Sequence, residues 1–374
     1  MGSRFLEFFA GGGMARLGLG PGWSCLFAND FDPVKGAAYR ANFPDAGAHF
    51  SGEDVWKLSA PDLPGPADLA WASSPCQDFS LAGVRAGLSG GRSSAFFGFW
   101  RLMESLDDAG RAPPLIVVEN VVGLLTSRGG ADFAALCGAL AGRGYRVGAL
   151  ESDAADFTPQ SRPRLFVVAF RGKPPAHLSG GGAFVTPAVG RARDQLEGAA
   201  RAAWTDWSPQ APAGRNTRLE DLLEPDDQVP WNPPDLTRRL VAMMSPVQAA
   251  RLEALKAAGG RHVGAFFRRT RREDGQSVQR AEARFDGLAG CLRTPRGGSS
   301  RQSVIIVEDG AVRTRLLAPR EAARLMGLPE AYVLPRGVSA ALHVVGDGVC
   351  VPTVRWLADT LLEPLLEALP SSRV

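Results

Sequence analysis

Cysteine is scarce in this chain of 374 residues: there are five, at positions 25, 76, 137, 291 and 350, with no CxxC pair and no metal-ligand spacing. The four histidines, His49, His177, His262 and His343, are equally dispersed, so no zinc site is expected. An odd, scattered set of thiols fits a reducing compartment, where each is either buried filler or a reactive group. No stretch of about twenty apolar residues occurs, so nothing is expected to span a membrane. Charge of one sign is also short. A formal net charge of +3 does not demand a polyanionic partner, and only local basic clusters could bind one. Internal repeats and long low-complexity linkers are lacking. The start, Met1 to Ala10, has one Arg and a short apolar run leading into a Gly-rich turn, which reads as a first buried strand and not a signal peptide. What is present suffices for a folded protein: 45% hydrophobic against 22% charged residues, over a length suited to one large domain or two ordinary ones. A cytosolic enzyme or binding protein remains.

From Arg4 to Phe170 short apolar runs alternate with helical patterns. Candidate strands are Phe5–Phe9, Ser24–Asn29, Leu69–Ala72, Leu115–Glu119, Arg146–Glu151 and Arg164–Phe170; helix-like stretches include Pro33–Asn42, Ser94–Asp108 and Gly130–Gly142. This alternation predicts an α/β fold, a parallel sheet with helices on both faces. Ligands bind such a sheet at the carboxyl ends of its strands. After Phe170 the texture changes. Residues 171–235 are rich in Gly, Pro and Ala, with isolated Trp204, Trp207 and Trp231. Helical character returns at Ser245–Ala257, followed by the basic run Arg268-Arg269-Thr270-Arg271-Arg272 and by strand-like Ser303–Glu308 with a turn at Asp309-Gly310. A second, smaller, irregular domain is expected there. Arg320–Met326 and a closing helix Pro352–Leu369 are apolar enough to pack back on the first domain.

Four motifs fall at expected strand ends. Phe9-Ala10-Gly11-Gly12-Gly13 lets the chain turn tightly and lets a ligand approach the backbone at a helix N-terminus. Asp30, after the next strand, is placed to accept hydrogen bonds from ribose hydroxyls, and Phe31 offers an apolar face to a purine. The GxGxxG pattern fails because Arg16 stands where the third Gly belongs, which disfavours a dinucleotide. An ordinary strand–helix turn would look the same. Ser74-Pro75-Cys76-Gln77 follows the strand Leu69–Ala72, with Pro75 fixing one backbone angle. A free thiol is only about 3% thiolate at neutral pH unless its site helps. Gly83, Gly87, Gly90 and Gly91, then Arg92, could close over a substrate as a lid, while an isolated Cys can equally be inert core. Val117-Val118-Glu119-Asn120-Val121 is an apolar strand ending in a carboxylate, where unpaired polar groups rarely sit without partners or a task. Gln160-Ser161-Arg162-Pro163-Arg164 puts two guanidiniums near the same sheet edge, with surface solvation the bland alternative.

In this order and spacing the four motifs resemble those of the cytosine-5 DNA methyltransferase family: an F-x-G-x-G turn, a P-C-Q nucleophile loop, an E-N-V strand end and a Q-x-R-x-R pair. The likeness continues at Arg315–Met326 (RLLAPREAARLM) and at Gly346-Asp347-Gly348-Val349, and covers about 1–170 and 290–365. It implies a Rossmann-like sheet that binds S-adenosylmethionine, with a target-recognition domain inserted. The expected divisions are 1–172 and 301–374 for the catalytic domain and 173–300 for the recognition domain. It further implies double-stranded DNA as partner, a monomer, and a cytoplasmic, nucleoid-associated location. Whether a cognate restriction endonuclease accompanies it stays open.

The resemblance assigns residues. Cytosine C5 is a poor nucleophile, and covalent attack on C6 turns the ring into an enamine with usable electron density at C5. That attack falls to Cys76. Glu119 would hold or share a proton at N3, and Arg162 and Arg164 would steady the base and orient Glu119. Asn120 is expected to hold the strand end in shape. Phe9, Ala10, Gly11 and Gly13 should line the methionine part of the cofactor, Asp30 its ribose, Phe31 its adenine, and Asp54 with Val55 the adenine edge. Pro75, Ala95, Asp347 and Val349 would complete that wall. Asp347 departs from the usual Asn of the family, and an acid there would repel a carboxylated cofactor analogue, which favours plain methyl transfer. Ser74 and Ala318 are lesser departures. The target base must leave the duplex. Gln77, Ser80 and Arg92 would fill the gap and grip phosphates, Arg268, Arg269, Arg271 and Arg272 would track the backbone, and Arg293 with Thr294 would reach the groove. The rival readings are a tRNA cytosine-5 methyltransferase, a catalytically silent nucleic-acid binder and, least supported, a nicotinamide dehydrogenase.

Overall fold

The computed structural model of the chain describes residues 2–74, 95–273, 275–293 and 301–370. By packing, the chain divides into two compact units. The first comprises Met1–Asp153, Pro163–Ala213 and Val349–Val374, and the second comprises Ala154–Arg162 and Gly214–Gly348.

The first unit is built on seven strands: β1 (Ser3–Phe8), β2 (Trp23–Asn29), β3 (Phe50–Ser51), β4 (Leu69–Ala72), β5 (Leu115–Asn120), β6 (Arg146–Asp153) and β7 (Pro163–Phe170), in the spatial order β3-β2-β1-β4-β5-β7-β6. Among its helices are α1 (Met14–Leu19), α2 (Pro33–Asn42), α3 (Ala95–Asp108), α4 (Ala131–Gly142), α5 (Pro187–Asp194) and α6 (Gly198–Ala203). Every residue of β4 and β5 is buried, which accounts for their near-continuous apolar runs: strands covered on both faces have no polar side to alternate with. On one face Phe8, Ala72 and Val118 pack against Phe96, Phe99 and Met103 of α3 and Leu136 and Leu140 of α4. The opposite face carries a smaller cluster with Ala28, Tyr39 and Phe43. Asp32 caps α2 by accepting from the backbone N–H groups of Val34 (2.8 Å) and Lys35 (3.1 Å), with Pro33 at the first helical position.

The sheet is not parallel throughout, which corrects the expectation at one strand. β1 pairs parallel with β2 and β4, and β4 with β5, but β7 runs antiparallel to both β5 and β6. The reason is length. Only nine residues, 154–162, join β6 to β7, and a parallel crossover needs a dozen or more. The reversal settles where the Arg162–Arg164 motif lies. A motif preceding a parallel strand would fall at the amino edge, whereas the start of β7 is level with the end of β5, Leu165 opposite Asn120.

In the second unit the expected irregular region holds an ordered antiparallel sheet, β11-β10-β8-β9, formed by β8 (Arg261–Glu273), β9 (Gln276–Arg284), β10 (Ser303–Glu308) and β11 (Ala311–Leu316). The turn between β10 and β11 uses positive φ at Asp309 (48°) and Gly310 (81°), the geometry favoured in two-residue hairpins. Helices α7 (Pro234–Ala242), α8 (Pro246–Ala258), α9 (Pro319–Leu325) and α10 (Val338–Asp347) complete this unit. The chain ends in the first unit as α11 (Val351–Leu357), a π turn at Ala358–Leu362 and α12 (Glu363–Glu367). α11 meets α1 at Gly18, where any Cβ would lie 2.4 Å from that of Val354. No helix among the described residues is long and apolar enough to cross a membrane.

Candidate active site

Three strand ends of the first unit bring polar groups to one edge of its sheet. At the end of β1, Phe9 adopts a left-handed backbone (φ 57°), a strained state for an aromatic residue, and Gly11 (57°) and Gly13 (79°) continue the turn. Gly13 must be Gly on two counts, since a Cβ would also lie 2.2 Å from the Phe43 ring. Asp30, at the end of β2, knits this turn to its own: one carboxylate oxygen accepts from Gly11 N–H (2.8 Å), the other from Asp32 N–H (2.9 Å). Burial pushes its carboxyl upward, with Lys35 pulling the other way. The expected ribose ligand is thus already the tie between two loops, with acceptor capacity left over, because a carboxylate offers about four lone-pair sites. Phe31 beside it is 68% exposed, an aromatic ring that the fold leaves uncovered. Asn29 donates to the carbonyls of Ser51 (3.1 Å) and Glu53 (2.8 Å) and so fixes the segment leading to Asp54. Asp54 is exposed and caps a short turn through Trp56 N–H (3.0 Å). Val55 is buried, its methyl 2.7 Å from where a Cβ on Gly98 would stand. Ala95 opens α3, half-buried, and Val349 is buried in the same unit.

At the end of β5, Glu119 and Asn120 are both buried and both engaged. Glu119 Oε1 meets Arg164 Nε at 3.2 Å. Asn120 donates to the Ser74 carbonyl (3.0 Å) and hydroxyl (3.3 Å), and its own oxygen accepts from Val121 N–H (2.9 Å). Asn120 therefore holds the segment after β4, two positions before Cys76. Pro75, Cys76, Gln77, Ser80, Arg92 and Thr294, together with the glycines of the expected lid, lie outside the described residues.

Arg162 requires a revised role. In the second unit its side chain is buried, 2% exposed, and its terminal nitrogens donate to backbone carbonyls: Nη1 to Leu292 (2.7 Å), Nη2 to Gly346 (3.0 Å) and Gly348 (2.7 Å). A guanidinium so occupied clamps backbone and is not offered to a base. Gln160, fully buried, works alongside, donating to the Leu325 carbonyl (2.9 Å) and accepting from Leu292 N–H (3.0 Å). Asp347 is exposed at the end of α10, 3.8 Å from His343 Nδ1. Of the basic residues assigned to DNA, Arg268, Arg269, Arg271 and Arg272 all lie on β8, and Arg293 is exposed.

Two groups escaped the sequence reading. Glu7 sits mid-strand in β1, 1% exposed, with neither carboxyl oxygen in a hydrogen bond. Burial raises its pKa to about 8, against the pull of Arg16. A single acid inside the apolar run Arg4–Phe9 was the available signal. Arg315 and Glu321 form a fully buried, two-pronged pair (2.6 and 2.8 Å), and spacing alone did not reveal that they meet.

Two solved structures share this architecture. The Dnmt2 methyltransferase of S. pombe matches with TM-score 0.59 at 18% identity, covering 97% of this chain and 99% of its own. The Entamoeba histolytica methyltransferase EhMeth matches with TM-score 0.63 at 13% identity, covering 99% of each. At such identities the likeness is one of fold: a Rossmann-like methyltransferase sheet. The family model for C-5 cytosine-specific DNA methylases matches residues 3–363, and the chain belongs to that family, the DNA (cytosine-5-)-methyltransferases. Among curated proteins it is similar to Type II methyltransferase M1.ScrFI of Lactococcus lactis subsp. cremoris (26% identity, 97% of this chain and 78% of the relative). It is also similar to M.NlaX of Neisseria lactamica (25%, 96% of each) and M.HhaI of Haemophilus parahaemolyticus (25%, 96% and 93%).

Proposed function

We propose that the protein methylates C5 of a cytosine flipped out of a specific double-stranded DNA sequence, with Cys76 bonded transiently to C6. The observation that carries this reading is the buried Glu119–Arg164 pair at the end of β5, beside an Asn120 that grips Ser74 just ahead of the Pro75-Cys76 motif. The Cys76 thiolate adds to C6, and Glu119, steadied by Arg164, gives a proton to N3, so that an enamine forms instead of a carbanion. S-adenosylmethionine, when bound, supplies an electrophilic methyl group to C5. A water or hydroxide then takes the C5 proton, its electron pair re-forms the C5–C6 double bond as the Cys76 thiolate departs, and the N3 proton returns to Glu119. Removing a base from the duplex costs a few kcal/mol, and Gln77, Ser80 and Arg92 are assigned to offset it.

The residues present fit the cofactor. The uncovered ring of Phe31 suits adenine, the spare acceptor sites of Asp30 suit ribose hydroxyls, and Gly11, whose Cβ position faces open space, lets a ligand reach the turn. Phe9, Ala10 and Gly13, with Asp54, Pro75, Ala95, Asp347 and Val349, complete the assignment. The second unit is read as the target-recognition region. The enzyme is read as a cytoplasmic monomer, and the names of its Type II methyltransferase relatives support DNA as its substrate.

The test is transfer of labelled methyl to duplex DNA, with tRNA as the competing substrate. Wild type should label DNA and form a denaturation-resistant adduct on 5-fluorocytosine DNA. Cys76→Ser should do neither. Labelling of tRNA alone would move the protein to the RNA branch, and labelling by Cys76→Ser would end the assignment.

A further inference from the structure

Asp30 and Asp54 leave separate strands of the first unit, and one side chain spans the gap between their segments. β3, two residues long, lies at the edge of its sheet and pairs parallel with β2, Ala28 beside Phe50 and Asn29 beside Ser51. The backbone ladder ends where Asp30 N–H donates to the Ser51 carbonyl (3.2 Å). The Asn29 side chain carries it on. This amide, 2% exposed, donates to the carbonyls of Ser51 (3.1 Å) and Glu53 (2.8 Å). It serves as a further rung of the sheet, reaching two residues past the last strand pair.

The other end of the same segment is held by α3. Val55 and Leu58 are buried with Phe96, Phe99 and Leu102, and a Cβ on Gly98 would also lie 3.1 Å from the Trp56 ring. Arg101, one turn further along α3, donates to the carbonyls of Trp56 (3.3 Å) and Leu58 (2.5 Å). Between these attachments stands the exposed Asp54, which spends one carboxylate oxygen on Trp56 N–H and keeps acceptor sites for a ligand. The apolar contacts fix the segment against α3. Asn29, next to Asp30 in the chain, fixes it against β2.

We propose that Asn29 is a positioning residue that sets the span between Asp30 and Asp54, and so makes the cofactor site selective for a purine that bears a 6-amino group. The proposal rests on the reading of the protein as a user of S-adenosylmethionine. With the ribose on Asp30, the exocyclic amine of adenine is a donor and the Asp54 carboxylate an acceptor. Such a bond tolerates only a few tenths of an ångström in length, and a ligating group must be held to about 0.5 Å. Loss of the Asn29 amide removes a buried donor from two carbonyls and frees the segment ahead of Asp54 to shift. Hydrogen bonds to a charged acceptor are the stronger kind, so a shift there registers as lost selectivity.

The experiment measures, by calorimetry, the affinity of the whole chain for S-adenosylhomocysteine and for its 6-desamino counterpart, in which hydrogen replaces the amine. Wild type should prefer the amino form by about tenfold. Asn29→Leu, similar in volume, and Asn29→Ser, too short to reach Glu53, should each cut that preference to about twofold while binding the desamino form nearly as wild type does. Two substitutions guard against a failure to fold, and thermal unfolding verifies each. Asp54→Ala should abolish the preference, and adding Asn29→Ser to it should change the ratio no further. Equal weakening of both ligands by the Asn29 variants, with the preference intact, would mark Asn29 as merely structural and overturn the proposal, as would a wild type that binds both ligands alike. A wild type that binds neither would instead sink the cofactor reading, and the role of Asn29 with it.

Discussion

The two sheets of this molecule carry their polar residues in opposite ways. In the seven-stranded sheet the strands are apolar along most of their length and the working groups gather where strands stop: Asp30 after β2, Ser74 after β4, Glu119 and Asn120 at the end of β5. In the four-stranded sheet, charge runs along the strands themselves, with five arginines in β8. A sheet covered on both faces can admit a polar group cheaply only at its edge, so the edge is where ligands meet it. A strand with one face free can place a side chain every second residue and expose it. The first arrangement gathers buried polar groups at one edge, and the second sets exposed ones along a strand.

This contrast can be broken at three points. The largest effect should come from Glu119→Gln, which keeps shape but cannot donate the proton as readily: turnover should fall by about 10²–10⁴ with cofactor affinity near wild type. A rate within a few fold of wild type would show that the edge of the first sheet does not supply the acid. Arg162 sharpens the division of labour. Arg162→Met leaves the buried carbonyls of Leu292 and Gly346 without their donor, at about 1–3 kcal/mol each, and should lower the unfolding temperature as well as activity. Lost turnover with unchanged unfolding would return Arg162 to the base, as the sequence led one to expect.

The smallest effect is at Glu7, an acid buried mid-strand in the first sheet. Its neighbours are Arg16, Cys25, Asp30 and Tyr39. Because its pKa rises from 4.5 to about 8 on folding, the native state keeps a proton that the unfolded chain has released. Its contribution is therefore full below about pH 4.5 and lost as pH climbs to about 8, an effect of up to a few kcal/mol. Glu7→Gln, with no proton to lose, should flatten the decline in unfolding temperature between pH 5 and pH 8. Parallel declines in the two proteins would show that Glu7 does not titrate in that window.

The same contrast explains what could be read in the sequence. β1, β4, β5 and their motifs were legible because burial on both faces leaves an apolar run with a polar stop. The direction of β7 was not, since periodicity carries no sense of direction and the connection shortens to nine residues only once β6 runs on to Asp153 and β7 begins at Pro163. β9, Gln276–Arg284, escaped notice because its alternation sets alanines against polar residues, a weak contrast. The division of the two motif arginines was equally hidden. Arg162 and Arg164 stand two positions apart, and only the fold shows that one meets a carboxylate and the other three carbonyls.

The nine residues between β6 and β7 belong to the second unit, although both strands belong to the first. A fragment cut from 214 to 348 would therefore omit Gln160 and Arg162 and strand the carbonyls of Leu292, Leu325, Gly346 and Gly348 without their donors. The region is no detachable cassette. Moving this unit intact into another chain means moving two pieces of polypeptide, 154–162 as well as 214–348.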